Sequence, residues 1–298
     1  MISPEFFPVT KLYSRRTMKS ALAKFERLRE ILSTYPNLLV AYSGGVDSTF
    51  LLKTAVEVLH DKAMGVVGIS PSLPQAELKE ALQIAQDFHL PVETITTHEM
   101  EDTRYTANPT NRCYFCKKEL FGEIYDYARR YGFQFIADGT NRDDSSDFRP
   151  GMQAASEFSV KSPLKEARLH KTEIRWLSRR MGLPTWNKPE MACLSSRFPT
   201  GTPITVERLK QVEHAEAFLK QLGFTQVRVR YLGSQARIEL DKTEIPRLLK
   251  PKTREQVHQY LKTLGFKQVM VDLAGYRRGS VHIKSNTSTV HTNQYLLL

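Results

Sequence analysis

The sequence predicts an α/β fold, a parallel sheet wrapped by helices, followed by a smaller α+β domain. Three observations predict it. Short apolar runs without alternation recur along the first two thirds of the chain, as strands buried on both faces of a parallel sheet do. Those runs alternate with amphipathic helical segments at least four times, the rhythm of right-handed β–α–β crossovers. After about residue 200 the rhythm changes to a tight hairpin pattern and short helices.

The elements follow in order. Residues 19–33 (KSALAKFERLREILS) space apolar side chains at helical intervals. Asn37–Tyr42 is the first buried strand, and a glycine loop leads from it into a helix over Ser48–Leu59. Ala63–Ile69 and Val92–Thr97 read as strands flanking a helix over Pro74–His89. A helix over Lys117–Tyr131 and a fourth strand over Phe133–Ala137 close this part. Beyond it, Thr205–Leu222 is a long helix, and Val227–Tyr231 and Ala236–Leu240 alternate around Leu232-Gly233-Ser234-Gln235 as a hairpin. Helices at 244–249 and 253–264 precede a strand over Gln268–Asp272. LGFTQVRVR (222–230) and LGFKQVMVD (264–272) echo each other, which implies two similar helix–strand units and no solenoid. The expected division is an arm at 1–18, a main domain at 19–200, a small domain at 201–284 and a loose polar tail at 285–298.

Length and composition narrow the class. A chain of 298 residues with 41% hydrophobic and 25% charged residues has ample length for a globular core. No apolar run reaches the ~20 residues that span a bilayer, and the start shows no secretory signal pattern. Three cysteines make no disulfide framework; they fit a reducing, cytoplasmic setting. The net charge of +11 suits either a nucleic-acid surface or a site for polyanionic small molecules, and does not decide between them.

The loop Ser43-Gly44-Gly45-Val46-Asp47-Ser48 is the most specific local signal. Adjacent glycines let backbone approach an anion closely, while Ser43 and Ser48 add hydroxyl donors. The helix that follows supplies free N–H groups and the positive end of its dipole. It is no Walker loop, since the GKS/GKT lysine is missing. A capped strand-to-helix turn is the plainer reading, but six residue positions and the strand–loop–helix context favour phosphate binding. Asp138-Gly139-Thr140-Asn141 ends the fourth strand, at the carboxyl edge where α/β sheets bind ligands.

Cys113 and Cys116 form a CxxC just ahead of the predicted helix, and Cys193 stands alone. Residue chemistry leaves a redox pair, two thiols without a function, a zinc site completed by His or water, and a [4Fe–4S] cluster with one open iron all in play. The histidines show no ligand spacing.

SGGVDS resembles the signature of the PP-loop ATP pyrophosphatases, which transfer AMP to a substrate oxygen and release PPi. That resemblance implies ATP bound through Ser43, Gly44, Gly45, Asp47 and Ser48, with Asp47 positioning Mg²⁺ or phosphate. It also implies adenine at Ser70, and supports Asp138 and Gly139 as lining. WNKPEMACLSSRFPTGTPIT (186–205) is similar to the signature of the LarE family, ATP-dependent sulfur transferases of this superfamily. DGTNRDDSSDFRPG (138–151), SPLKEARLHKTEIR (162–175), VRVRYLGSQARIEL (227–240) and DLAGYRRG (272–279) extend the likeness over about residues 20–280.

The LarE resemblance implies adenylation of a carboxylate of pyridinium-3,5-biscarboxylic acid mononucleotide, then exchange of AMP for sulfur. The product is a thiocarboxylate on the route to the nickel-pincer nucleotide of lactate racemase. One branch of the family sacrifices a cysteine sulfur at the position occupied here by Ala192. The other holds a [4Fe–4S] cluster on three cysteines, which would be Cys113, Cys116 and Cys193, with sulfide or another sulfur donor replenishing it. Sacrifice of Cys193 is the less favoured alternative. The resemblance further implies substrate contacts by Ser196 and Arg197 and a divalent metal on Glu216 and Glu239. Arg228 and Arg230, two apart on a strand, project to one face and suit a phosphate. Arg149 is a further anion candidate, and Trp186 reads as core. Glu216 and Glu239 also read as an ordinary helix charge and an ordinary hairpin charge. Family analogy implies a homo-oligomer, with a hexamer as one form. A tRNA thiolation enzyme is the runner-up, disfavoured by the lack of any RNA-binding module; a non-catalytic nucleotide sensor is a third reading, which the intact loop disfavours.

Overall fold

The computed structural model describes residues 15–146, 150–277 and 295–297. In chain order the elements begin with α1 (Arg15–Ser33), β1 (Leu38–Ala41), α2 (Val46–Leu59), β2 (Ala63–Ile69), α3 (Gln75–Asp87) and β3 (Val92–Thr96). They continue with α4 (Thr103–Thr106), α5 (Arg112–Tyr131), β4 (Ile136–Ala137), α6 (Pro150–Glu157), α7 (Pro163–Glu166) and α8 (Lys171–Arg180). The last are α9 (Val206–Gln221), β5 (Val227–Leu232), β6 (Gln235–Leu240), α10 (Ile245–Leu248), α11 (Pro251–Thr263), β7 (Gln268–Asp272) and β8 (Tyr295–Leu297).

The chain divides into two compact units. The first comprises Met1–Ile69, Gln75–Thr97 and Cys116–Met191; the second comprises Ser70–Pro74, His98–Phe115 and Ala192–Leu298. Hydrogen bonds explain why the second unit starts before residue 201 and borrows earlier segments. Asn108 Nδ2 donates to the carbonyls of Pro199 and Thr202 at 2.7 and 3.1 Å. Gly201 N donates to Asn108 O at 2.8 Å, and Ile204 N to Thr106 O at 2.8 Å. Leu194 N donates to Ser72 O at 2.8 Å. Backbone pairing of this kind satisfies groups that would be costly to bury unpaired, and it stitches 70–74 and 98–115 onto 192–204.

The first unit is an α/β layer structure on a parallel sheet ordered β3-β2-β1-β4. Leu38, Leu39 and Val40 of β1 are wholly buried, which accounts for a strand with no alternation. Leu28 and Leu32 of α1 and Phe50, Leu51 and Leu52 of α2 complete this core. α1 starts four residues earlier than its sequence pattern, and β4 is only two residues long.

The second unit carries the sheet β5-β6-β7-β8, antiparallel at β5–β6 and β7–β8 and parallel at β6–β7. The predicted hairpin forms with Leu232 opposite Gln235. The internal echo has a physical cause. In α9 and α11 alike, a glycine with positive φ (Gly223, 85°; Gly265, 96°) ends the helix in a left-handed turn. Phe224 N and Phe266 N then reach back to Leu219 O and Leu261 O at 3.2 Å each, and both rings are buried. Part of the predicted loose tail, residues 295–297, pairs with β7 as β8.

One boundary bears on chemistry. The CxxC does not precede its helix: α5 begins at Arg112, so Cys113 and Cys116 lie in its first turns. Arg112 N donates to Pro109 O at 3.0 Å, which starts the helix there.

Candidate active site

The first unit holds the phosphate loop between β1 and α2. Gly44 has φ +67°, and a Cβ there would stand 2.4 Å from Ala81 Cβ and 2.9 Å from Ala81 Cα. Only glycine meets both demands. Gly45 caps α2 without a side-chain hydrogen bond. The first N–H groups of that helix have no intrahelical acceptor and present a positive dipole end to an anion. Ser48 Oγ braces the loop from inside, 3.2 Å from Ser43 N and 3.0 Å from Ser43 Oγ.

Gly139 shows how closely the fourth strand's exit approaches this loop: a Cβ there would lie 3.0 Å from Ser48 N and 3.1 Å from Asp47 Cβ. Asp138 shapes that turn. Its carboxylate accepts from Thr140 N (3.1 Å), Thr140 Oγ1 (2.7 Å) and Ser162 Oγ (2.8 Å). Asp47 is mostly buried, and burial raises its carboxyl pKa although the nearby Lys171 ammonium opposes the rise. Lys171 Nζ hydrogen-bonds Asp47 Oδ2, and Asn141 Nδ2 stands 3.4 Å from Asp47 Oδ1. Lys171 is the first residue of α8, behind a capping box in which Glu173 accepts from His170 N. Asp143 accepts from Lys171 N at 2.8 Å and from the His170 ring, which fixes this helix start beside the loop.

The second unit holds the Cys193 loop. Arg197, 2% exposed, donates from Nη1 to Ala192 O (2.7 Å), Cys193 O (2.9 Å) and Ser196 Oγ (3.0 Å). Its Nε and Nη2 grip Glu216 bidentately at 2.9 Å each, and Glu216 Oε1 also accepts from Val229 N. Burial alone would lower the Arg197 pKa; the Glu216 carboxylate outweighs it and the net shift is upward. Arg230 donates to Glu239 Oε2 (3.0 Å) and to Ser196 O (2.9 Å), while Arg237 holds Glu239 Oε1 at 3.0 Å. Tyr105 Oη and Ser195 Oγ are 2.6 Å apart in the same buried region.

The two strand arginines therefore part company. Arg230 is committed to a wholly buried carboxylate. Arg228 donates only to Val227 O and lies 5.5 Å from the Tyr276 ring centroid, with no carboxylate partner among the described residues. Its pKa is lowered by burial first and by the Arg197 charge second, with the Glu216 charge opposing the fall.

Ser70 leaves β2 with its hydroxyl 2.8 Å from Ser72 Oγ, which in turn donates to Glu99 at 3.0 Å. All three cysteines are free thiols: Cys113 exposed, Cys116 and Cys193 half-buried.

No family model matches the sequence. An uncharacterized protein of Synechocystis is 44% identical over 87% of this chain and 97% of its own length. The pyridinium-3,5-bisthiocarboxylic acid mononucleotide synthase of Lactiplantibacillus plantarum is 36% identical over 89% of this chain and 96% of its own length. The chain belongs to the LarE family. A tRNA-specific 2-thiouridylase of Akkermansia muciniphila is 29% identical over 51% of this chain and 52% of its own length, in keeping with the wider PP-loop superfamily.

LarE membership makes the chain an ATP-using sulfur transferase and leaves the roles of individual residues to geometry. Among the described residues, no three His, Cys, Asp or Glu side chains are grouped as a metal site. Glu216 and Glu239, the candidate divalent-metal ligands, give their oxygens to Arg197, Arg230 and Arg237. Arg149 lies outside the described residues. No helix among the described residues is long and apolar enough to cross a membrane.

Sequence reading missed Lys171 and Arg112. Lys171 lies 124 positions from Asp47, so no local spacing links them. A phosphate loop that carries an aspartate and no lysine does need a cation from elsewhere, and that was the available signal.

Proposed function

We propose that this LarE-family enzyme uses ATP to adenylate a carboxylate of pyridinium-3,5-biscarboxylic acid mononucleotide and then replaces AMP with sulfur. The supporting observation is the likeness to the bisthiocarboxylic acid mononucleotide synthase along nearly the whole chain, joined to a complete phosphate loop. A carboxylate oxygen attacks the α-phosphorus of ATP, the acyl–O–P bond forms, and the α–β bond breaks with loss of PPi. A sulfur nucleophile then attacks the acyl carbon, forming C–S as the C–O bond breaks and AMP leaves with the electron pair.

Each site contributes a distinct part. The amides at the start of α2, with Ser43 and Ser48, bind the polyphosphate, and Lys171 offsets the Asp47 charge that would repel it. Asp47 is the candidate for steering Mg²⁺. Ser70 is the candidate adenine contact. Arg228 receives the nucleotide's phosphate monoester. Ser196 and Arg197 shape the Cys193 loop, with Glu216 and Glu239 acting as counter-charges that hold Arg197 and Arg230 in place; a metal at either carboxylate would have to displace an arginine.

For the sulfur we keep Cys113, Cys116 and Cys193 as the bearing residues, with a [4Fe–4S] cluster as their proposed form. Ala192 at the sacrificial position supports this branch. Anaerobic iron and sulfide analysis tests it: fewer than about three irons per chain after reconstitution removes the cluster. Loss of hydrogen sulfide mass from Cys193 after turnover would instead make it sacrificial. The setting proposed is cytoplasmic, in nickel-pincer nucleotide assembly for lactate racemase, by a homo-oligomer. A tRNA substrate draws support only from the half-length thiouridylase match; tight, salt-sensitive tRNA binding in a gel shift would favour it.

A further inference from the structure

Among the described residues, Arg112 is the buried guanidinium near the cysteines that the chemistry above leaves unused. It is 7% exposed. Both of its hydrogen bonds come from Nη1, one to Asn108 Oδ1 and one to Ser195 O at 2.8 Å. The two N–H groups of Nη1 are thereby spent. Nε and Nη2 have no acceptor among the described residues, and neither is one of the sealed, unsatisfied side-chain atoms. No carboxylate pairs with this charge among the described residues.

Its place makes the missing counter-charge costly. Arg112 is the first residue of α5, a helix of 20 residues, so the cation sits at the positive end of the dipole. A buried charge at such a point needs an anion. It also sits between the cysteine segments: Cys113 follows it in the chain, and the Ser195 carbonyl it holds lies two residues beyond Cys193. The unused edge, Nε with Nη2, is the planar fork that matches a carboxylate through two parallel hydrogen bonds.

We propose that Arg112 is a substrate-binding residue that grips a carboxylate of the pyridine ring through Nε and Nη2, beside Cys113 and Cys193. The inference rests on the function proposed above and adds a specificity determinant to it: the enzyme distinguishes a 3,5-dicarboxylate from a 3-carboxylate at this residue. Asn108 is a positioning residue, since its Oδ1 and the Ser195 carbonyl orient the guanidinium.

The test is calorimetric binding without ATP, using pyridinium-3,5-dicarboxylate mononucleotide and pyridinium-3-carboxylate mononucleotide. Wild-type protein binds the dicarboxylate about 10- to 100-fold more tightly, the worth of a charge-assisted fork. In R112Q the preference vanishes while affinity for the monocarboxylate is kept. R112K guards against misfolding: it keeps the charge and a donor for Ser195 but not the fork, so the preference drops while ATP affinity and thermal midpoint hold. Equal affinities in wild type, or a preference that survives in both variants, overturns the proposal. PPi release by the wild type is read separately. Its absence beside an Arg112-dependent preference defeats the activation chemistry alone; its presence beside an unaltered preference defeats the Arg112 assignment alone.

Discussion

The two loop glycines have different jobs, and replacing each with alanine separates folding from phosphate binding. Gly44→Ala forces a non-glycine residue to φ +67°, which costs about 1–2 kcal/mol. It also drives a methyl to 2.4 Å from Ala81 Cβ and 2.9 Å from Ala81 Cα. Backbone cannot yield as a flexible side chain does, and such overpacking costs about 1–3 kcal/mol. Together the loss is about 2–5 kcal/mol, a fall of roughly 3–8 °C in thermal midpoint for a chain of this size. Gly45→Ala meets only Ser43 Oγ at 3.3 Å and Met191 Cε at 3.5 Å, ordinary or nearly ordinary contacts. Its midpoint should move by no more than about 1 kcal/mol equivalent, while ATP affinity falls about tenfold because backbone no longer closes on the phosphates. Differential scanning calorimetry and ATP titration on the two variants decide the matter. A stable Gly44→Ala protein, or Gly45→Ala with full ATP affinity, refutes the reasoning.

Other perturbations have equally definite outcomes. Lys171→Met leaves the Asp47 charge facing the polyphosphate, so affinity for ATP and PPi drops about tenfold while AMP binding stays level; equal losses for all three would make Lys171 merely structural. Glu216→Gln strips a 2% exposed arginine of its counter-charge and costs about 3–5 kcal/mol in denaturant unfolding; a change below about 1 kcal/mol contradicts the buried-pair account. Asp143 has a depressed carboxyl pKa: burial would raise it, but the His170 hydrogen bond and Lys171 amide outweigh that. Its stabilisation is therefore complete above the ordinary carboxylate range and is lost as pH falls through the lowered value. Thermal midpoints measured against pH should show a shallower acid limb in Asp143→Asn.

How much was legible depended on whether the determining contacts were local. β1 announced itself because a strand buried on both faces has no polar positions, and Leu38–Val40 have none. The loop was legible because its glycines, serines and following helix are contiguous. The LGF echo was legible because the same left-handed helix ending recurs at Gly223 and Gly265. The CxxC was placed ahead of its helix because cysteine and aromatic residues are weak helix formers, and the contact of Arg112 N with Pro109 O is not written in propensity. Long-range pairs were out of reach. Nothing near Asp47 names Lys171, and nothing near Arg197 shows that Glu216 is spent on it. Arg228 and Arg230 looked equivalent by strand periodicity, yet Glu239 on the neighbouring strand takes one and leaves the other.

The central claim is that AMP installed through the Ser43–Ser48 loop is the leaving group for sulfur. The direct measurement is a single-turnover mixture of anaerobically prepared enzyme, ATP, sulfide and pyridinium-3,5-dicarboxylate mononucleotide, followed by PPi assay and mass spectrometry of the nucleotide. The expected result is PPi and AMP in equal amounts and a product with one carboxylate oxygen replaced by sulfur, all reduced about tenfold in Gly45→Ala at limiting ATP. Sulfur incorporation without PPi, or hydrolysis of ATP to ADP in its place, would contradict it.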